Sequence, residues 1–353
     1  MRVLFLTRYG ALGASSRVRA YQFFPYLEAN GVEVAHQMLL DDAYLNGLYG
    51  NAPVGWSYLV RRYGERVRTM LRVREYDLIW VEKEALPWLP ASVERALLAG
   101  VPYVVDYDDA TFHAYDQHRN ALVRLGLGRR IDRIMRGAAL VTVGNPYLAA
   151  RAREAGARRI EVLPSVVDLE RYTVRAEEEH GEGLVVGWIG SPGSEVVLGV
   201  LRDVLARLTE TSPVTLRLVG AAGTYLDGIR FETKPWSEET EVDEIRRFDV
   251  GIMPLPDTPW MRGKCGYKLI QYMGCGVPVV ASPVGVNREI VTDGVNGYLA
   301  DTPEAWLRAL AVLGEDRIAA RRMGEAGRKR VEERYSLQVT APRMLHLLRE
   351  AAW

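Results

Sequence analysis

Cysteine is nearly missing from this chain: only Cys265 and Cys275 occur among 353 residues. Two thiols cannot build a disulfide framework, and a reduced, cytoplasmic setting fits them; a metal site from this pair alone is not expected. Long apolar runs are missing too. Nothing approaches the roughly eighteen consecutive apolar residues of a membrane-spanning helix, and Met1-Arg-Val-Leu-Phe-Leu-Thr7 is too short for a secretory signal. The expectation is a cytoplasmic chain that neither spans a membrane nor is secreted by that route. Net charge is zero, with 45 basic and 45 acidic side chains, and no nucleic-acid partner is expected. The balance is uneven, however: residues 1–175 carry +5 and the remainder −5, which hints at different partners for the two halves. Lysine is scarce as well. Only five stand against forty arginines, yet Lys264 and Lys268 lie four residues apart.

What is present points to an ordinary globular chain, 48% hydrophobic and 25% charged, long enough for two domains with separate cores. Its organising stretch runs from Phe248 to Ala300. Val250-Gly-Ile-Met-Pro254 reads as a buried strand, Lys268 to Met273 as a short helix ended by Gly274 and Gly276, and Val277 to Ala281 as another buried strand. Arg262, Lys264 and Lys268 sit in the intervening loop and at the helix entrance. A helix N-terminus carries unpaired N–H groups and about half a positive charge, so cations there make sense when an anion lies between them. An ammonium is a good point-charge partner for a diphosphate. The alternative is a solvated basic loop that only caps the helix.

The run Lys268-Leu-Ile-Gln-Tyr-Met-Gly-Cys-Gly-Val-Pro-Val-Val-Ala-Ser-Pro-Val-Gly285, then Glu289-Ile-Val-Thr-Asp-Gly294-Val-Asn-Gly297, resembles the donor-binding part of GT-B glycosyltransferases of family 4. The resemblance implies an α/β fold of two Rossmann-like, doubly wound domains facing a cleft. Residues 1–178 would bind the acceptor, 179–336 the nucleotide-sugar donor, and 337–353 would form a helix crossing back to the first domain. It further implies transfer from a nucleoside-diphosphate sugar (UDP- or GDP-linked) with retention of anomeric configuration and no further cofactor. A glycan, or a lipid-linked or cell-surface polysaccharide precursor, is the expected acceptor.

Developing charge on the leaving diphosphate calls for fixed cations, and Lys264 and Lys268, supported by Arg262, are assigned that catalytic and binding role. The loop Gly190-Ser191-Pro-Gly193 follows the strand Leu184–Gly190 and precedes a helix, an arrangement suited to phosphate. Lys234-Pro235-Trp236 is placed against the nucleobase by the resemblance. Family members generally carry two glutamates, one near the donor sugar and one on the ribose. Here Gly263 and Gln271 stand at those two positions, so Gln271 is assigned to the ribose and the sugar contact is left unassigned.

The first half opens as strand Val3–Leu6, glycine loop, and a helix Val18–Asn30 stopped by Gly31. The G-x-G-x-x-G spacing is absent, which weakens an NAD(P) oxidoreductase reading. The resemblance turns this loop toward the cleft and makes Gly13, Ser16 and Arg17 candidate contacts. Glu82-Lys83-Glu84 and Asp106-Tyr-Asp108-Asp109 gather charge at the ends of two strands, which is costly unless they face water or bind something. Hard cations take such carboxylates, but the resemblance implies no metal. Asp108 and Asp109 are assigned a catalytic role and His113 a place at the acceptor, with all three contacting sugar hydroxyls or locking the loop. Asp108-Asp109 stands where the family commonly has His-Asp.

Trp56 to Tyr76 reads as an amphipathic helix with Trp56, Val60, Tyr63, Val67 and Met70 on one stripe and Arg61, Arg68 and Arg72 opposite, flanked by Arg62 and Arg66. It either docks its stripe on the core, the preferred reading, or lies peripherally on an anionic membrane. The polar run 175–183 reads as a linker. Two other functions stand beside transfer: a non-catalytic nucleotide-sugar-binding scaffold or sensor, suggested by the missing glutamate and histidine, and a GT-B epimerase or phosphorylase.

Overall fold

Apolar runs without alternation build two all-parallel sheets of six strands each, as expected for strands covered on both faces. The first sheet contains β1 (Arg2–Tyr9), β2 (Glu33–Leu40), β3 (Leu78–Glu82), β4 (Tyr103–Tyr107), β5 (Leu140–Val143) and β6 (Ile160–Val162), in the order β2-β1-β3-β4-β5-β6. The second contains β7 (Leu184–Ile189), β8 (Val214–Val219), β9 (Glu232–Lys234), β10 (Val250–Met253), β11 (Val279–Ala281) and β12 (Gly297–Leu299), in the order β12-β11-β10-β7-β8-β9. The strand order reverses beside β1 and β3 in one sheet and beside β7 and β10 in the other. Doubly wound sheets bind ligands beyond the strand ends at such points.

This computed structural model describes residues 1–50, 52, 54–174 and 183–352. The run read as a linker lies outside the described residues from 175 to 182, as does residue 353 of the terminal segment. The chain separates into two units. The first comprises Met1–Ser165, Arg262–Cys265 and the chain from Thr340; the second comprises Val166–Met261 and Gly266–Val339. Each has its own core. Leu4, Leu6, Ile79, Val105, Tyr107 and Val141 are buried together in the first, and Val186, Trp188, Leu218, Ile252, Leu269 and Val280 in the second.

Two predicted helices take a different form. In place of one helix Val18–Asn30, a helix Ala14–Arg19, a 3-10 turn Tyr21–Phe23 and a second helix Phe24–Ala29 follow one another. Pro25 lies in the first turn of the last, where its missing N–H costs nothing. The helix read as Trp56–Tyr76 ends at Met70. Its stripe docks only in part, with Met70 buried and Tyr63 and Val67 against the core, while Trp56 and Val60 stand in solvent. Arg66, expected to flank the polar face, is fully buried. Its guanidinium donates to the carbonyls of Thr7 (2.5 Å), Gln37 (3.0 Å) and Ala85 (3.1 Å) and to the Gln37 side chain, so acceptors on β1, on β2 and just after β3 draw it inward.

Candidate functional site

In the first unit the loops after β1, β3 and β4 bring charge together. Gly13 is the N-cap of the helix Ala14–Arg19, and a Cβ there would lie 2.4 Å from the Tyr9 Cβ, so the turn requires glycine. The close turn lets the Ser16 hydroxyl accept from the Tyr9 N–H (3.0 Å) and donate to Glu82 Oε2 (2.6 Å). Ser16 is thereby committed to joining β1 to β3. Arg17 is buried and donates to the Ala11 carbonyl at 3.0 Å.

Each aspartate after or within β4 faces its own cation. Arg19 grips Asp106 with two bonds of 2.8 and 2.6 Å, the bidentate fork that suits a buried carboxylate. Lys83 Nζ lies 2.9 Å from Asp108 Oδ1, and the Ser15 hydroxyl donates to Asp108 Oδ2 at 2.6 Å. Burial opposes ionisation of Asp108, but Lys83, Arg19 and Ser15 outweigh it and hold its pKa at about 2. Lys83 itself adopts φ +60°, a strained conformation for a side-chain-bearing residue. Lys264 Nζ meets Asp109 Oδ2 at 2.8 Å. Among the described residues, Asp109 Oδ1 and Thr111 Oγ1 are buried without a hydrogen-bond partner.

Lys264 reaches that position because its segment is fastened there. Asn145, immediately beyond β5, donates to the carbonyls of Gly263 and Lys264 at 2.9 Å each, and its own Oδ1 caps the following helix at Leu148 N (2.9 Å). A Cβ at Gly263 would approach the Ala110 Cβ to 2.5 Å. The Cys265 thiol donates to the Asp108 carbonyl at 3.1 Å, and burial raises its pKa far above the usual thiol value. Arg262 belongs to the same segment. His113 is engaged at both ring nitrogens, Nδ1 with Asp116 Oδ1 (2.8 Å) and Nε2 with the Tyr147 hydroxyl (2.9 Å).

In the second unit, β7 ends in the Gly190 loop. A Cβ on Gly190 would lie 2.4 Å from the Trp188 ring and 2.7 Å from Ser194 Oγ, so this glycine is sterically required. Ser191 and Gly193 are exposed, and nothing lies within 4 Å of a Cβ at Gly193. The element that follows is a 3-10 helix, Pro192–Leu201, before a regular helix Arg202–Thr211. Lys268 occupies the first turn of the helix Tyr267–Gly274, with Gly266 at φ +67° as N-cap. Its ammonium lies 5.1 Å from the Trp188 ring centre, a cation–π arrangement. The Gly190 loop and Lys268 therefore share one indole.

Gln271 and Trp236 are brought together by a pair the sequence reading missed. Gln271 Nε2 donates to the Tyr172 hydroxyl (2.8 Å), which donates to Glu241 Oε1 (2.8 Å); Trp236 Nε1 donates to Glu241 Oε2 (2.8 Å). Arg171 adds a bond of 2.7 Å to Glu241 Oε1. Pro235 is exposed beside Trp236. Glu195 was also missed. It accepts from the backbone N–H groups of Ala222, Gly223 and Thr224, filling an anion-binding nest with a carboxylate from the chain itself. No sequence signal marks either pairing, because the partners lie far apart in the chain. The structure groups Arg262, Lys264, Asp108, Asp109 and His113 with the first unit, and Lys268, Gln271, Trp236 and the Gly190 loop with the second.

Two family models cover most of the chain: "Glycosyl transferase 4-like domain" matches residues 6–165 and "Glycosyl transferases group 1" matches residues 183–316. A D-inositol 3-phosphate glycosyltransferase of Xylanimonas cellulosilytica is 28% identical over 280 residues, 68% of this chain and 66% of that protein. D-inositol 3-phosphate glycosyltransferase 2 of Catenulispora acidiphila is 31% identical over 265 residues, 70% and 57% of the two chains. The chain thus matches just under two thirds of the length of one curated relative and less of the other. Sucrose-phosphate synthase from Thermosynechococcus elongatus superposes with a TM-score of 0.76 at 18% identity, covering 99% of this chain and 98% of that one. HepE of Anabaena, crystallised with UDP and glucose, gives 0.73 at 19%, covering 99% and 100%. Strand order, matched halves and structural likeness agree: the chain belongs to the group 1 glycosyltransferases of family 4, with the two Rossmann-like domains of the GT-B fold.

Proposed function

We propose that the protein transfers a sugar from a nucleoside-diphosphate sugar to an acceptor, binding the donor on its second unit. One observation carries this reading: Lys268 and the Gly190 loop flank the same Trp188 ring beyond the ends of β7 and β10. A helix entrance, a lysine and a glycine turn at a switch point form a phosphate site from elementary parts. Gln271 and Trp236, joined through Tyr172 and Glu241, supply hydrogen bonding and an aromatic surface for the nucleoside. Stabilising the departing diphosphate is the main catalytic contribution, and Lys268 is its source in this unit. HepE was crystallised with UDP-glucose, which supports a uridine donor as the first to test.

The carboxylates of the first unit, Asp108 and Asp109 with His113 nearby, are the acceptor-side groups. Transfer is proposed to retain configuration, with attack guided by the leaving phosphate. The acceptor is a lipid-linked or polysaccharide precursor, met at the inner face of the membrane. Exposed Trp56 and Val60 support a peripheral contact there. Names of the relatives make inositol phosphate a necessary member of any acceptor panel.

Thermal-shift titration with UDP, GDP, ADP and their sugars tests the donor site, since a ligand that binds only the folded state raises its stability. A shift with one nucleoside diphosphate, lost in Lys268→Ala, is expected. An equal shift in that variant overturns the site. Donor binding without transfer or donor hydrolysis across the acceptor panel would favour a scaffold or sensor.

A further inference from the structure

We propose that the helix Ala121–Leu127 and the arginines around it form a membrane-docking element for an anionic bilayer. The helix turns Val123 and Leu127 toward the core and leaves Leu122 and Leu125 outward, 76% and 85% exposed. No residue of this helix is buried. Such leucines are the most exposed large aliphatic side chains among the described residues, and they are held outward rather than loosely placed. Asn120 caps the helix by accepting from Leu122 N at 2.9 Å, and Arg124 ties its start by donating to the carbonyls of His118 (2.7 Å) and Arg119 (3.1 Å).

The surround is cationic. Arg119, Arg124, Arg129 and Arg133 are exposed, and none is ion-paired among the described residues. The nearby acids offset only part of this charge: Asp132 (2.8 Å) and Asp116 (3.1 Å) share the one guanidinium of Arg151, and Glu154 is exposed beside Arg124 and Arg129. Trp88 extends the patch. It is half exposed, with its ring 5.8 Å from that of His118, just before the helix. Aliphatic side chains directed outward, an amphipathic indole and arginines that outnumber the acids among them match a headgroup–acyl boundary. A protein partner or second copy fits less well, because two leucines and half a tryptophan fall far short of the roughly 1,200 Å² that a stable interface buries.

The element deepens the reading of a membrane-borne acceptor and rests on that reading for its purpose. Its test is independent of transfer. Full-length protein is sedimented with sucrose-loaded vesicles of phosphatidylcholine alone or mixed with phosphatidylglycerol, without donor. Binding to the anionic vesicles at low salt, its release at high salt, and at least about a tenfold weaker partition for Leu122→Ser with Leu125→Ser are expected. Arg119→Gln with Arg129→Gln should release at lower salt, and Trp56→Ser should weaken binding less than the leucine variant does. Sedimentation equal for both vesicle types, or unchanged in the leucine variant, overturns the proposal. So does loss of binding in Trp56→Ser alone, or a dimer that the leucine variant dissociates. Donor thermal shifts on the same samples report folding and the donor site separately, so either reading can fail alone.

Discussion

Asp108 carries the sharpest pH prediction. Its folded pKa of about 2 lies below the ordinary aspartate value of 3.8, so folding favours the ionised form. Its contribution is fully present above about pH 4 and is lost as pH falls toward 2, on the order of 2 kcal/mol in total. Urea midpoints for the wild type and Asp108→Asn should therefore differ at pH 6 and converge near pH 2; a constant gap would mean that the carboxylate's charge is not what matters. Asp109 behaves otherwise. Its pair with Lys264 is partly exposed, so Asp109→Asn should cost under about 1 kcal/mol of stability. Donor thermal shifts should persist in that variant while turnover falls, whereas Lys268→Ala should weaken nucleotide binding by roughly 1.5–3 kcal/mol.

At the scale of elements, the helix Trp56–Met70 hangs on Arg66. Removing that side chain would leave three carbonyls and an amide buried without their donor, so Arg66→Ala should cost about 3 kcal/mol or more in urea unfolding. Arg66→Lys should rescue little, because one ammonium cannot span acceptors arranged for a planar fork. A heptad-style reading of the sequence could not find this role. Arginine at the edge of an apolar stripe looks the same whether its guanidinium meets water or carbonyls. The strands were legible for the opposite reason: unbroken runs such as Leu78–Val81 must be covered on both faces. Lys268 and the Gly190 loop were legible as motifs at helix entrances. Tyr172 with Glu241 was not, since Gln271 meets Tyr172 across 99 residues of chain and such a pairing leaves no period to read.

At the scale of the molecule, the first unit is assembled from separated pieces of chain. The segment beyond Thr340 buries Met344, Leu345 and Leu348 and fastens itself by Arg343 to Glu161 (3.1 Å), Arg159 to Glu350 (2.5 Å) and Arg349 to the Asn30 carbonyl (2.9 Å). Deleting it should lower the melting temperature and increase hydrogen exchange in Glu33–Leu40 and Ile160–Val162 more than in Leu184–Ile189. Equal loosening of all three would show that the segment does not act on the first unit. The same layout sets a schedule for biosynthesis. A ribosome that has released Ser165 has made the whole first sheet, yet neither the four residues from Arg262 nor the closing helix exists. At about 5–20 residues per second, the nascent sheet waits some ten seconds or more for its last part. Meanwhile the apolar face reserved for that part is open to chaperones.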